Sequence, residues 1–153
     1  MSVIHLNIGS NISPRHRHIS DAVEALRAEF KSSTFLISTI VESEPWGFDS
    51  SNTFLNCGVM IKTQTDIDPE QLLHITQRIE RRLGLGIAHR NADGSYTDRA
   101  LDIDIIALDR IIMHTPELTL PHPRATLRQF VMLPLRQLDP ATADWLSHPT
   151  NPE

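Results

Sequence analysis

The sequence has little of what several classes of protein require. It has a single cysteine, Cys57, in 153 residues, so an internal disulfide is excluded and a reducing, cytoplasmic compartment is expected. No apolar run approaches the roughly 20 residues of a membrane helix, and Met1 to Ile8 lacks the basic region of a signal peptide. Basic residues are outnumbered, 14 against 19 acidic ones, and the net charge of −5 argues against broad binding to nucleic acid.

Two common phosphate-binding loops are also absent. The chain contains no G-x-x-x-x-G-K-[ST] motif and no G-x-G-x-x-G motif, so a nucleotide would bind here without such loops. No repeat, low-complexity tract or interdomain linker is evident. The length suits one domain, and we expect residues 1–153 to form it.

What the sequence does contain is a regular order of strand-like and helix-like segments. Alternating or β-branched runs predict strands, and apolar residues at spacings of three and four predict helices. The predicted strands are Val3 to Ile8, Thr34 to Glu44, Phe54 to Thr63 and Ala100 to Leu108; the predicted helices are Pro14 to Lys31 and Asp68 to Leu83. This βαββαβ order predicts an α+β, ferredoxin-like fold: a mostly antiparallel sheet with the helices on one face and a C-terminal extension.

Turn and cap residues refine these boundaries. Ser13 and Asp68 are predicted to cap the two helices, and Gly84 is predicted to end the second one. Residues 111–113 are expected to pair with the preceding strand in a hairpin. Prolines break residues 116–138 into short apolar runs, and residues 140–153 are expected to end in a short helix or to fray.

The strongest chemical signal is the segment Leu101 to Ile105, which reads Leu-Asp-Ile-Asp-Ile. On a strand, side chains alternate between the faces, so Asp102 and Asp104 project together. Neighbouring carboxylates repel each other, and a hard divalent cation such as Mg²⁺ would offset that repulsion. A solvated polar strand face is the simpler alternative for such a triplet.

Cations surround this pair in the sequence. Arg99 lies three residues before Asp102, and further cations are His89, Arg90, His122, Arg124 and Arg128. The glycine-containing segment 85–98 lacks periodicity and is predicted to be a mobile surface loop. A flexible loop that carries cations beside two carboxylates suits phosphoryl-type transfer, in which positioning and charge neutralisation do most of the catalysis. For each cation taken alone, a solvated surface charge is the favoured interpretation.

Two further groups of residues are candidates for substrate contact. The aromatic loop around Trp46 is followed by Phe54 and Asn56 at strand spacing, and an aromatic ring with an amide can stack on and hydrogen-bond a flat heterocycle. A core plug at a sheet edge is the alternative. On the second helix, Gln77 and Glu80 lie beside the apolar stripe, where a salt bridge at the helix boundary is the alternative.

Several separated motifs together resemble the 6-hydroxymethyl-7,8-dihydropterin pyrophosphokinase family of the folate pathway. They occur in the family's order and extend from residue 7 to residue 135. The matching segments are 7–11 (NIGSN), 42–48 (ESEPWGF), 54–56 (FLN), 77–84 (QRIERRLG), 98–104 (DRALDID), 118–124 (LTLPHPR) and 130–135 (FVMLPL).

The resemblance implies that pyrophosphate is transferred from ATP to the hydroxymethyl group of the pterin, with AMP as the other product. It implies two Mg²⁺ ions held by Asp102 and Asp104 and bridging the ATP phosphates. The implied pterin-binding residues are Ser43, Glu44, Trp46, Phe54, Asn56 and Phe130, with the pterin between the two phenylalanines. The implied ATP-binding residues are Gln77, Glu80, His122 and Arg128, and Arg99 is implied as a catalytic contact to the triphosphate.

One position departs from the family pattern. The family commonly has an arginine directly after the glycine that ends the second helix, and this chain has Leu85 there. We assign the role of the catalytic loop cation to Arg90, with Arg82 and His89 as alternatives. Tyr96 occupies a position where the family often has tryptophan.

Two other functions stay open on the sequence alone. The first is a non-catalytic or weakly active ferredoxin-like module that binds pterin or nucleotide, which Leu85 favours. The second is a different Mg²⁺-dependent phosphotransferase that uses the same carboxylate pair. The expected partners are ATP and the hydroxymethyl dihydropterin, with neither nucleic acid nor membrane, and a monomer is expected.

Overall fold

A computed structural model describes residues 1–44, 52–84 and 100–150 of the chain. Its main sheet contains β1 (Val3–Ser10), β2 (Thr34–Ile37), β3 (Val41–Ser43), β4 (Phe54–Lys62) and β5 (Asp102–Leu108). The helices are α1 (Arg15–Glu29), α2 (Pro69–Leu83), α3 (Gln129–Leu138) and α4 (Pro140–Ser147), and a 3₁₀ turn spans Ala125–Leu127. A separate ribbon pairs β6 (Met113–His114) with β7 (Thr119–Leu120).

The main sheet is antiparallel and has the order β2-β4-β1-β5, with β3 also paired to β4. Alternate residues of β1, namely Ile4, Leu6 and Ile8, are at most 2% exposed and pack into a core with α1 and α2. Burial of each such side chain stabilises the fold by about 1.5–3 kcal/mol. The predicted α+β, ferredoxin-like arrangement with two helices on one face is therefore confirmed.

The C-terminal extension covers the opposite face of the sheet. Here Ile106 and Ala107 of β5 pack against Val131 and Leu135 of α3, and α4 adds to the same cluster. Both faces thus carry helices, and within the described part of the chain the second face has an opening near the start of β5. The candidate site lies in this opening.

A β-bulge in β5 lies beside that opening. The pairing of β1 with β5 shifts by one residue after His5, because Leu6 pairs with Ile105 and His5 with Ala107. Ile106 is the extra residue, and its carbonyl accepts a hydrogen bond from the backbone N–H of His122 at 2.8 Å. The bulge therefore attaches the segment that carries His122 to the strand that carries the aspartates.

The structure corrects four local predictions. The strand predicted over residues 34–44 is divided into β2 and β3. The division occurs at Ser38, whose hydroxyl accepts the Gly58 N–H at 2.8 Å, while the next residue, Thr39, directs its N–H to Gln137 Oε1 at 2.8 Å. The first helix is capped by Pro14, not Ser13, and begins at Arg15.

The predicted hairpin of residues 111–113 with β5 is wrong. Asp109 does form a turn, with φ of 49°, but its backbone N–H and its carboxylate both bind Val3 of β1. The chain leaves the sheet after this turn, and Met113 pairs with Leu120 instead.

The fourth correction concerns residues 116–138, which include the ten-residue helix α3 with Pro134 inside it. The sequence predicts that the prolines break this segment, but Pro134 lies within α3. Of the remaining boundaries, the predicted ends at Asp68 and Gly84 are confirmed, although the Asp68 side chain makes no capping hydrogen bond. The segment 140–153, for which a short helix or fraying was expected, begins with the short helix α4.

Candidate active site

Strand register brings polar side chains from four strands onto the open part of the second face. Asn7 pairs with Asp104, and Gly9 pairs with both Asn56 and Asp102. Asn56 in turn pairs with Val41 of β3. Since paired residues in a sheet share a face, the amides and carboxylates lie side by side across the sheet.

A cavity of about 120 Å³ opens over these residues. It joins most of the side chains that the sequence assigned to the pterin with two of the four assigned to catalysis, Asp102 and Asp104. Its lining comprises Asn7, Gly9, Ser43, Glu44, Phe54, Asn56, Asp102, Asp104, His122, Arg128 and Phe130.

Asn56 is held in one orientation within this cavity. It is 2% exposed, and its Nδ2 donates to the Val41 carbonyl at 3.0 Å and to Ser43 Oγ at 2.8 Å. A Cβ atom built on Gly9 would lie 3.3 Å from Asn56 Oδ1, so this oxygen faces the space above Gly9. Asn56 therefore presents a hydrogen-bond acceptor to the cavity.

A second cavity, of about 340 Å³, lies between α2, β5 and the segment 115–123. Gln77 and Glu80, which the sequence assigned to ATP, line it. Asp102, Asp104 and His122 line both cavities. The carboxylate pair thus lies where a group bound in one cavity can meet a group bound in the other.

The carboxylate pair lies beside an arginine. Asp102 and Asp104 are both partly exposed, and Arg128 Nη1 lies 3.7 Å from Asp104 Oδ2. Among residues 1–44, 52–84 and 100–150, no group of three or more His, Cys, Asp or Glu side chains could hold a metal ion. Two carboxylates without further protein ligands fit Mg²⁺, which usually binds one or two carboxylates together with water and substrate phosphates.

Glu80 has a structural contact in addition to lining the second cavity. Its Oε2 accepts the backbone N–H of Ile103 at 2.9 Å. Ile103 lies between the two aspartates on β5, so this bond from α2 fixes the strand at the point from which both carboxylates project. The assignment of Glu80 to ATP remains a prediction.

His122 is held in its neutral form. Burial, aided by Arg128 and Arg124, lowers its pKa to about 4, and Asp102 only partly opposes this. Its Nδ1 accepts the backbone N–H of Arg124 at 3.2 Å, so in the neutral ring the proton is on Nε2. His122 can therefore donate a hydrogen bond to a phosphate oxygen at neutral pH.

The structure brings together nearly all the described residues that the sequence assigned to the site. Trp46, Arg90 and Arg99 lie outside the described residues, as do Leu85 and His89. Sequence reasoning missed Asn7 and Gly9 as lining residues, although both belong to the NIGSN segment. Their strand spacing of two, together with the small size of Gly9, was the available signal.

Sequence comparison identifies relatives of known name. A model of the family "7,8-dihydro-6-hydroxymethylpterin-pyrophosphokinase" matches residues 5–140. The chain is 40% identical over 154 residues to a 2-amino-4-hydroxy-6-hydroxymethyldihydropteridine pyrophosphokinase of Porphyromonas gingivalis, covering 99% of this chain and 97% of that protein. It is 34% identical over 137 residues to the protein of the same name from Bacillus subtilis, covering 90% and 78%.

Solved structures agree with the fold. A triple mutant of Plasmodium falciparum HPPK-DHPS superimposes with a TM-score of 0.63 at 14% identity, over 91% of this chain and 40% of that longer chain. The wild-type protein superimposes with a TM-score of 0.62, over 88% and 40%. At these identities the likeness concerns the fold alone. Among the described residues, no helix is long and apolar enough to span a membrane.

Proposed function

Since the chain belongs to the 7,8-dihydro-6-hydroxymethylpterin-pyrophosphokinase family, we propose that it uses the site described above to transfer pyrophosphate from ATP to 6-hydroxymethyl-7,8-dihydropterin. Pyrophosphoryl transfer in folate biosynthesis is the activity of this family. The hydroxymethyl oxygen forms a bond to the β-phosphorus of ATP and loses its proton. The bond from that phosphorus to the oxygen bridging it to the α-phosphorus breaks, and AMP leaves with the electron pair.

The observation that supports this proposal most directly is that one carboxylate pair lines two adjoining cavities. Asp102 and Asp104 lie between the cavity that contains Phe54, Asn56 and Phe130 and the cavity that contains Gln77 and Glu80. A transfer between two bound substrates requires such a meeting point, because most of the catalysis comes from holding the reacting groups together.

The first cavity is the proposed pterin site. The pterin ring would stack between Phe54 and Phe130, and Asn56 Oδ1 would accept a hydrogen bond from its amino-pyrimidinone edge. Ser43 is already fixed against Asn56 Nδ2. Backbone groups of Glu44 and Trp46 are proposed to complete the site, as the family resemblance implies.

The second cavity is the proposed ATP site. Gln77 and Glu80 would lie near the adenine end, and the neutral His122 would donate from Nε2 to the triphosphate. Arg128, beside Asp104, would contact the same phosphates. The sequence assigns Arg90 and Arg99 to this charge-neutralising group as well.

Asp102 and Asp104 are the proposed ligands of two Mg²⁺ ions. When bound, these ions would supply charge neutralisation on the attacking and leaving oxygens. The Arg128 guanidinium lies beside the Asp104 carboxylate and partly offsets its negative charge. The dependence of the activity on Mg²⁺ is part of the proposal.

The decisive assay incubates the chain with ATP, Mg²⁺ and 6-hydroxymethyl-7,8-dihydropterin and separates the nucleotides by chromatography. We expect AMP and the pterin diphosphate in equal amounts and no ADP. Asp102→Asn and Asp104→Asn should each lower kcat by about 100-fold or more, the loss typical for removing one electrostatic stabiliser of a transition state.

Asp144→Asn is the matched control, because Asp144 is an exposed carboxylate that pairs with Arg136 away from both cavities. This variant should keep the wild-type rate. Formation of ADP would contradict the proposed reaction, and full activity of the Asp102 and Asp104 variants would contradict the proposed metal ligands.

A further inference from the structure

Pro134 leaves a backbone carbonyl of α3 without its usual helical donor. In an α-helix the N–H of residue 134 would donate to the carbonyl of residue 130, but proline has no N–H. The Phe130 carbonyl is therefore available to a donor outside the helix. Phe130 is also the residue whose ring lines the first cavity.

Asn7 supplies that donor from the sheet. Its Nδ2 donates to the Phe130 carbonyl at 3.1 Å, across 123 positions of sequence. Asn7 is only 4% exposed and lies on the central strand β1. A buried amide is unfavourable unless it is hydrogen-bonded, so the bond to Phe130 accounts for a polar residue at this position.

A close backbone approach reinforces the same junction. Gly58 is the β4 partner of Asn7, and a Cβ atom on Gly58 would lie 2.8 Å from Pro134 Cβ. Glycine is therefore required for Pro134 to contact the sheet here. The proline removes the helical donor, the glycine admits the proline, and the asparagine binds the freed carbonyl.

We propose that Asn7 is a positioning residue for pterin binding. It acts by holding Phe130 of α3 at a fixed distance from the sheet. This inference depends on the proposed placement of the pterin between Phe54 and Phe130. Phe54 projects from β4 itself, so the gap between the two rings is set by how α3 is attached to the sheet. Asn7 provides a hydrogen-bonded attachment at the end of α3 where Phe130 lies, next to the ion pair of Arg128 with Asp104.

The first test compares Asn7→Ala with the wild type in steady-state kinetics with both substrates varied. The KM for the pterin should rise about three- to tenfold, the effect of one hydrogen bond, while the KM for ATP stays unchanged. Gln137→Ala is the matched control, since Gln137 of α3 also binds the sheet side, at Thr39, but lines neither cavity. Its KM for the pterin should be that of the wild type.

A double variant separates positioning from a merely structural role. Adding Pro134→Ala to Asn7→Ala restores an N–H that can satisfy the Phe130 carbonyl within the helix, but it restores no attachment to the sheet. We expect the melting temperature to recover towards the wild-type value while the KM for the pterin stays raised. Recovery of both quantities would overturn the proposal, because satisfying the carbonyl would then be enough.

An unchanged KM for the pterin in Asn7→Ala, or an equal rise in both KM values, would also overturn the positioning role. The proposed function fails separately, if the wild-type chain forms no AMP. Calorimetric titration of the Asn7→Ala variant with the pterin measures affinity without turnover. It should show the same loss of affinity.

Discussion

At the residue scale, His5 shows how strongly burial controls charge in this fold. It is 2% exposed on β1, and its Nε2 lies 3.0 Å from Asp139 Oδ2. Burial nevertheless lowers the pKa of His5, helped by Arg110 and Lys62, and outweighs the opposing effect of Asp139. The neutral ring donates to a carboxylate that also caps α4 through Thr142.

This burial predicts a pH-dependent stability. In the unfolded chain the histidine has its ordinary pKa near 6.5, whereas the folded chain takes up the proton only at lower pH. The free energy of unfolding should therefore decrease as the pH falls below about 6.5 and should stop decreasing below the folded pKa. Urea unfolding at pH values from 8 to 5 measures this slope.

His5→Gln should reduce the slope, because glutamine can donate to Asp139 but does not titrate. His122, whose pKa is also lowered, accounts for a further part of the slope in the wild type and in this variant. His16→Gln, on the exposed side of α1, is the control and should behave as the wild type. An identical slope in His5→Gln would refute the role given to His5.

At the element scale, two glycines on the sheet face that packs against α3 have different tasks. The Cβ position of Gly58 lies 2.8 Å from Pro134 Cβ, a contact between two rigid groups. At Gly9 the nearest atoms are Asn56 Oδ1 at 3.3 Å and Phe54 Cδ1 at 3.5 Å, both facing the first cavity. One glycine therefore serves packing between β4 and α3, and the other keeps space open for a ligand.

Alanine substitutions should separate these tasks. Gly58→Ala should lower the free energy of unfolding by about 1–3 kcal/mol, the usual cost of overpacking, as measured by urea unfolding. Gly9→Ala should keep most of the stability but weaken pterin binding, because the methyl group enters the proposed site. The reverse outcome, with Gly9→Ala the less stable variant, would contradict this division.

At the scale of the whole molecule, the site exists only because both sheet faces are used. The face that packs on α1 and α2 supplies the stability of the core, and the other face is covered by α3 and α4 but left open at the start of β5. The first cavity opens on that face, and the adjoining second cavity lies between β5, α2 and the segment 115–123. Binding should therefore stabilise the folded chain as a unit.

Thermal unfolding provides a test of the metal site that does not depend on turnover. At 100 times its Kd, a ligand stabilises the folded state by about 2.7 kcal/mol, which corresponds to a rise in Tm of roughly 5–10 °C for a chain of this size. We expect this rise with ATP and Mg²⁺ together and little of it with ATP and EDTA. Asp102→Asn should lose the Mg²⁺-dependent part, whereas Asp144→Asn should retain it.

The local sequence pattern was sufficient for the element order and for part of the site. Alternation over residues 101–105 predicted that Asp102 and Asp104 share a face, because strand geometry requires it. It was not sufficient for α3, because a proline in an apolar run locally indicates a break. The helix around Pro134 depends on tertiary contacts with the sheet, which the local pattern does not contain. The local pattern was also not sufficient for the pairing of Met113, because this pairing depends on a turn that is hydrogen-bonded to β1.

The sequence by itself determined the alternating strand faces, the amphipathic helices, the chemical types of the site residues and, through the family motifs, the reaction. Only the tertiary structure decided which of these residues meet. The register of β1 against β4 and β5 places Asn7 and Gly9 in the cavity, and the packing of α3 places Phe130 over Asn7. Contacts between segments more than 100 residues apart depend on register and packing energy, which no local pattern of residues encodes.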